Sequence, residues 1–379
     1  MRDSAAVLHD NFPVLASALM VCRTCLALDA DSLAHIVRLL DMYLNPFSRS
    51  WSVRRACELG LPRRAIEYLA ARDPHWVDGY DIGALASKGG FVHVLQWALD
   101  CYPSRIAWDN GYTGYDRITL MDVAAQHGHL PVLQWFHENR SEGCSHRAMD
   151  YAAGNGRLDI VWWLEEHYTG SCSTRAMDDA ATNGHLEVVK WLHLNHHEGC
   201  TKYAMNGAAQ NGHLAVLEWL HANRSEGYAP SEGVMDSVAA CGHLDVRKWF
   251  HDNTSKSCSP NAMLWAAARG HLDVVRFLHE NRSHECPSIS GAMRLAAMHG
   301  HLETVQWLYA NCVGGRVGVA LRHAAQYGHL DVVKWLCGVA HEQRRGDACF
   351  REVAEIARRS WRLEVAEYLE RSIKRKRLQ

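Results

Sequence analysis

Histidine and cysteine recur along this chain at fixed offsets, and both residue types could carry chemistry. His129, His185, His213, His243, His271, His301 and His329 each follow a glycine, while His137, His193, His221, His251 and His279 form a second column. An imidazole titrating near neutrality can act as a general base or ligate zinc. Cys144, Cys172, Cys200, Cys258 and Cys286 recur at a similar spacing, and Cys22-x-x-Cys25 stands apart. Thiolates gathered at one point would bind zinc or cycle through a disulfide.

The regularity argues against these chemistries. A catalytic or metal centre needs side chains that converge, whereas a column spreads one residue type along a line. Neighbouring packed helices lie about 8–10 Å apart and a disulfide needs Cα atoms within about 7 Å, so the cysteine column cannot bridge itself. Burial as small apolar side chains is the expected state of these thiols. Cys22-x-x-Cys25 has no second pair to complete a zinc set. The stretch HENRSH at 279–284 misses the HExxH spacing, and there is no GxSxG, P-loop or GxGxxG. No catalytic residue, cofactor or metal is expected, and the chain reads as a non-enzyme.

The composition narrows the class of partner. Forty basic residues stand against 42 acidic ones in 379, so no net field draws the chain to nucleic acid or to a membrane surface. Asp3 and Asp10 sit where a secretory signal would be cationic, and no apolar run reaches the roughly 18 residues of a spanning helix. A cytoplasmic protein with reduced thiols is expected. The terminal run Lys374-Arg375-Lys376-Arg377 reads as a solvated tail, with nuclear import as its alternative.

Positioning such columns requires a repeating element. Gly128, Gly156, Gly184, Gly212, Gly242, Gly270, Gly300 and Gly328 follow one another at intervals of 28 or 30 residues. Weaker copies lie at Gly60 and Gly90, and Trp361 takes the glycine's place in a last one. About eleven units over residues 51–371 mark a solenoid. Before each glycine, side chains such as Met177, Ala180 and Ala181 fall at i, i+3 and i+4 on one helical face. After it, Leu186, Val188, Val189 and Leu192 form the stripe of a second helix. The glycine permits the sharp turn between them. Asn139, Asn195, Asn223, Asn253, Asn281 and Asn311 are expected to end the second helices in the left-handed conformation. The aromatic column from Trp97 and Trp135 through Trp219 to Trp335 is expected in the core, because a helix pair must bury its apolar face against its neighbours.

The frame A-M-D-x-A-A-x-x-G-H-L-x-V-V-x-W-L resembles the ankyrin repeat, with its A-A-x-x-G-H-x-x-V-V core. The resemblance implies an all-α ankyrin-repeat solenoid of stacked helix-turn-helix units. Two departures stand out: the T-P-L-H tetrad is replaced by forms such as Arg175-Ala176-Met177-Asp178, and the short period predicts short or absent β-hairpins. By the same resemblance the histidines after the glycines are hydrogen-bonded spacers between units.

Function is then expected in the columns free to vary. Positions five, two and one before the glycine share a face of the first helix, the face that meets partners in ankyrin proteins. Tyr151, Asp179, Trp265, Arg269, Leu295, His323 and Tyr327 stand there as candidate partner-binding residues, aromatic and arginine side chains being frequent interface anchors. The position six before the glycine runs Asp122, Asp150, Asp178, Asn206, Asp236, Leu264, Arg294, Arg322. It reads either as a charge gradient along the groove or as local hydrogen bonding by the aspartates. Residues 1–50 lack the frame and read as a helical cap; residues 26–44 also resemble an F-box helix, which makes a ubiquitin-ligase adaptor the alternative to a scaffold for one protein partner. A monomer is expected.

Overall fold

In a computed structural model of the chain, the described residues are 51–72, 76, 82–103, 108, 118–168, 172–224, 232–254, 258–282, 289–311, 316–342 and 347–377. The cap or F-box-like segment 1–50, with Cys22 and Cys25, lies outside them. The fold is an all-α ankyrin-repeat solenoid: the described residues form helices and contain no strand. No helix among them is long and apolar enough to cross a membrane.

The chain divides into two compact units, residues 1–142 and 143–379. The first holds α1 (Val53–Glu58), α2 (Arg63–Arg72), α3 (Ile82–Gly89), α4 (Val92–Cys101), α5 (Leu120–His127) and α6 (Leu130–Asn139). In the second, α7 (His146–Gly154), α8 (Leu158–His167), α9 (Thr174–Thr182), α10 (Leu186–Asn195), α11 (Lys202–Gln210), α12 (Leu214–Asn223), α13 (Glu232–Cys241) and α14 (Leu244–Asn253) come first. Then follow α15 (Asn261–Ala268), α16 (Leu272–Arg282), α17 (Ile289–Met298), α18 (Leu302–Asn311), α19 (Val317–Tyr327), α20 (Leu330–Glu342), α21 (Asp347–Arg359) and α22 (Leu363–Arg377). Within each unit the first helix of a repeat packs on the first helix of the next, and second helices pack on second helices. The stacking continues to the last described helices, since α21 packs against α19 and α22 against α20.

Each glycine turn is a helix C-cap. In the repeat of α9 and α10, the His185 amide donates to Ala180 O and the Gly184 amide to Ala181 O, a Schellman pair that satisfies the carbonyls a helix end leaves open. Gly184 has φ +82°, a conformation cheap only for glycine. In the last repeat Trp361 adopts φ +60° in that role.

The asparagine column works differently from expectation. None of its members has positive φ; instead Asn195 Nδ2 donates to Trp191 O at 2.8 Å, and Asn139, Asn223, Asn253, Asn281 and Asn311 do the same four residues back. The side-chain amide adds a second donor to a carbonyl of the last turn, and the chain leaves extended at His196 (φ −127°, ψ 149°) with no left-handed residue.

The core is the Ala-Ala-Met face of the first helices with the Val-Val-Leu stripe of the second. Ala180, Ala181, Met177, Val188, Val189 and Leu192 are all buried. Small alanines let first helices approach closely, in place of the larger ridges that set ordinary helix spacing.

Candidate functional site

The histidine after each glycine joins one repeat to the previous one. In the first unit His129 Nε2 donates to Lys88 O at 3.0 Å. In the second, His301 Nε2 reaches Ala268 O at 3.0 Å and His329 Nε2 reaches Met298 O at 2.8 Å. The ring lies flat on the preceding glycine: a Cβ on Gly184 would sit 2.5 Å from His213 Nδ1, and one on Gly156 the same distance from His185 Nδ1. The residue before the glycine reinforces the joint, Asn183 Nδ2 donating to Gly154 O at 2.7 Å and Asn211 Nδ2 to Thr182 O at 2.8 Å. These imidazoles are bonded spacers.

Their protonation is linked to stability. Burial first, and then neighbouring histidines, hold His185, His243 and His301 below the ordinary 6.5, against the opposing effect of their backbone hydrogen bonds. A group that binds its proton less readily when folded contributes stability above its unfolded pKa and loses it as pH falls through the lowered folded value. The thermal midpoint should therefore drop between about pH 7.5 and about pH 5.5, followed by circular dichroism. A midpoint that stays level over that range refutes the linkage.

The aspartate column resolves as hydrogen bonding between repeats. Asp150 accepts from the Ser173 amide at 2.8 Å and from Ser173 Oγ at 2.7 Å, and Asp178 from the Thr201 amide and Oγ1 at 2.8 and 2.6 Å. Asp236 repeats the pair with Ser259. Ser173, Thr201 and Ser259 in turn accept an amide from the first turn of α9, α11 and α15, so each aspartate fixes the cap of the next repeat's first helix. Asp122 instead closes a capping box with Thr119 at the start of α5. Asp122, Asp150 and Asp178 are buried, which removes the expected acidic half of a groove. At the basic end Arg322 pairs with Glu352 at 2.9 Å. Asp178→Ala should cost about 1–3 kcal/mol in denaturant unfolding, because it strands a buried amide and hydroxyl. A cost within error of zero would contradict the cap assignment.

The aromatic column is only partly core. In the first unit Trp97 is 1% exposed and Trp135 6%, because Trp76 stacks on the former at 5.2 Å and Trp108 covers the latter at 6.0 Å. In the second unit the corresponding Trp163, Trp191, Trp219, Trp249, Phe277, Trp307 and Trp335 are half-buried. There the aromatic stands edge-on to the histidine of the previous repeat, as in His193–Trp219, His221–Trp249, His251–Phe277 and His279–Trp307, with centroids 5.1–5.6 Å apart. Tyr309 replaces the histidine over Trp335. This ladder shields one side of each ring and leaves the other to solvent.

Of the candidate partner-binding residues, Trp265 and Tyr327 are 52% and 45% exposed, and Arg269 is exposed. Tyr151, Asp179, Leu295 and His323 are half-buried. Arg269 Nη1 also bridges to Ala240 O at 3.3 Å. Burial raises the Asp179 carboxyl, while burial and then Arg294 and Arg322 lower His323. Positions two before the glycine are less open than expected: Gly154, Ala240 and Ala268 are buried, because the next first helix presses on them. Asp179 Cβ lies 3.0 Å from where a Cβ on Gly154 would stand. Sequence reasoning missed Tyr203, 65% exposed in the first turn of α11, and Trp162, 54% exposed on α8; neither belongs to a column, so only accessibility reveals them. It also missed the approach of Cys172 to His196 and Glu198. Cys172, Cys200 and Cys258 are buried and Cys144 half-buried, and burial, then Glu198 and Asp150, pushes the Cys172 thiol up to about 12.

Two family models of ankyrin repeats match the chain. One, for three copies, covers residues 177–318 and 263–347, and the other, for many copies, covers 121–165. Among solved structures the human ASB11 ankyrin repeat domain is similar at 18% identity and a TM-score of 0.25, covering 50% of this chain and 82% of its own. No curated protein matches. Ankyrin repeats are modules for binding other proteins, and the two models together span more than half of the sequence; the chain belongs to the ankyrin repeat family.

Proposed function

We propose that the chain is a non-enzymatic scaffold that binds a partner protein through the exposed side of the first helices in its second unit. The observation that carries this reading is the exposure of Trp265 and Tyr327 on α15 and α19, whose alanine and methionine or leucine faces are buried in the stack. Large aromatics left in water on an otherwise ordered face are the usual anchors of an interface. Arg269 lies between them in sequence, and Tyr151, Asp179, Leu295 and His323 contribute the surrounding relief. The partner is a protein and not nucleic acid, since basic and acidic residues are nearly balanced at 40 and 42. The chain acts as a monomer in the cytoplasm.

Proximity labelling with the wild type and with Trp265→Ala plus Tyr327→Ala tests the reading. Both side chains are half-exposed, so the double variant should keep its helical spectrum while its labelled partners are lost. An unchanged set of labelled proteins overturns the proposal.

A further inference from the structure

One connection carries metal-ligating residue types where the others of its kind do not place a histidine. After the terminal asparagine of the second helix the chain places Arg140, Arg224 or Arg282, or else Thr254 or Cys312, but after α10 it places His196, followed by His197 and Glu198. The His196 side chain is only 9% exposed and rests against Trp191, ring centroids 5.4 Å apart. Two carboxylates face it. Glu165 Oε2, from α8, lies 3.1 Å from Nε2, and Glu198 Oε2 lies 3.6 Å from Nδ1. The Cys172 sulfur is 3.7 Å from Glu198 Oε2. One ligand atom each from Cys172, His196 and Glu198 thus falls within 4.8 Å of the others, a grouping with no second instance among the described residues. Both His196 Nε2 and Glu165 Oε2 are buried without an aligned hydrogen bond.

A buried histidine between two glutamates is explicable as an ion pair, with the Cys172 thiol donating to Glu198, but that arrangement leaves His196 Nε2 and Glu165 Oε2 buried without an aligned hydrogen bond. A metal ion gives every group a role. Tetrahedral zinc, with bonds of about 2.0–2.3 Å, holds its ligand atoms about 3.3–3.6 Å apart. Two of the three edges already stand near that spacing, and the third closes by side-chain rotation. The mixed sulfur, nitrogen and oxygen set suits zinc and is too soft for magnesium or calcium.

We propose that Cys172, His196 and Glu198 form a zinc site in the second unit, with Glu165 as a positioning residue behind the imidazole. Glu165 would accept a hydrogen bond from Nε2–H and so direct Nδ1 at the ion, the carboxylate–histidine–metal arrangement that fixes ring orientation. Binding forms the sulfur–zinc bond and releases the Cys172 proton to solvent. One thiolate and one carboxylate then neutralise the dication. The fourth position faces solvent on the exposed side of Glu198 and takes water. Because Cys172 precedes α9, His196 and Glu198 follow α10, and the positioning residue Glu165 belongs to α8, the ion and its support would clasp two consecutive repeats.

Cobalt(II) reports on such a site in the reduced full-length chain. One equivalent should produce a thiolate-to-cobalt charge-transfer band with the strong visible bands of tetrahedral cobalt, all displaced by zinc. Cys172→Ser should abolish the charge-transfer band, and His196→Gln should abolish tetrahedral binding. Cys258→Ser, another buried thiol, should change nothing. Glu165→Gln should keep the spectrum and weaken affinity by about 10–100-fold; unchanged affinity removes Glu165 from the site. If Cys172→Ser does not fold, His196→Gln in the loop decides alone. Absence of the charge-transfer band in the wild type, or its persistence in a folded Cys172→Ser or His196→Gln chain, overturns the site.

Discussion

Trp97→Ala is expected to destabilise the first unit by about 3–5 kcal/mol, the range for deleting a fully buried indole and leaving its cavity. Trp97 is 1% exposed, stacks on Trp76 and meets Tyr102 edge-on at 5.5 Å. Trp219→Ala, at the same position of a later repeat, should cost only about 1–2 kcal/mol, since it forfeits one edge contact with His193 and partial burial. Because each repeat touches only its neighbours, the loss should be read locally. Hydrogen exchange over α3 and α4 for Trp97, and over α10 and α12 for Trp219, separates the two. Equal losses of protection would show that the column is one uniform core, against the burial described above.

Gly184→Ala is the second large effect, and its two causes are separable. At φ +82° an alanine pays about 1–2 kcal/mol for the left-handed region. Its Cβ would also come within 2.5 Å of His213 Nδ1. Relieving that clash pushes the imidazole off the previous repeat, at a further cost of about 0.5–1.5 kcal/mol if the joint is lost. A total of about 1.5–3.5 kcal/mol is expected in chemical unfolding. Replacing His213 by alanine in the same background should recover the steric part and leave the backbone part. Gly338→Ala supplies the contrast: it lies within α20 with nothing within 4 Å of a new Cβ. There the substitution should stabilise by about 0.5–1 kcal/mol through helix propensity. If Gly184→Ala proves neutral, the glycine turn is not the joint between repeats.

Much of this architecture is legible in residue spacing because a repeat states each requirement many times. Met177, Ala180 and Ala181 must be apolar in every copy, so their period identifies the helix and its buried face without any coordinates. The glycine and its histidine are legible for the same reason. The aspartate column was ambiguous: Asp150 could have faced a partner or capped a neighbour. Only the position of Ser173, 23 residues later, assigns it to the cap. The asparagine column shows the opposite failure. Asn195 suits a left-handed turn as readily as a side-chain cap, and local sequence does not distinguish them.

What the sequence by itself determined is the unit: two helices, a glycine turn between them and an apolar face that one unit cannot bury alone. Those follow from side-chain periodicity, which is a local property of the chain. The tertiary structure decided which members of a column are covered. Trp97 and Trp219 hold the same position seven residues after their glycines, yet one lies beneath Trp76 and the other stands edge-on to His193. It also decided which residues distant in sequence converge, as Glu165, Cys172, His196 and Glu198 do. Burial and convergence depend on what the neighbouring repeat and its connecting loop place overhead, and no spacing within a single unit encodes that.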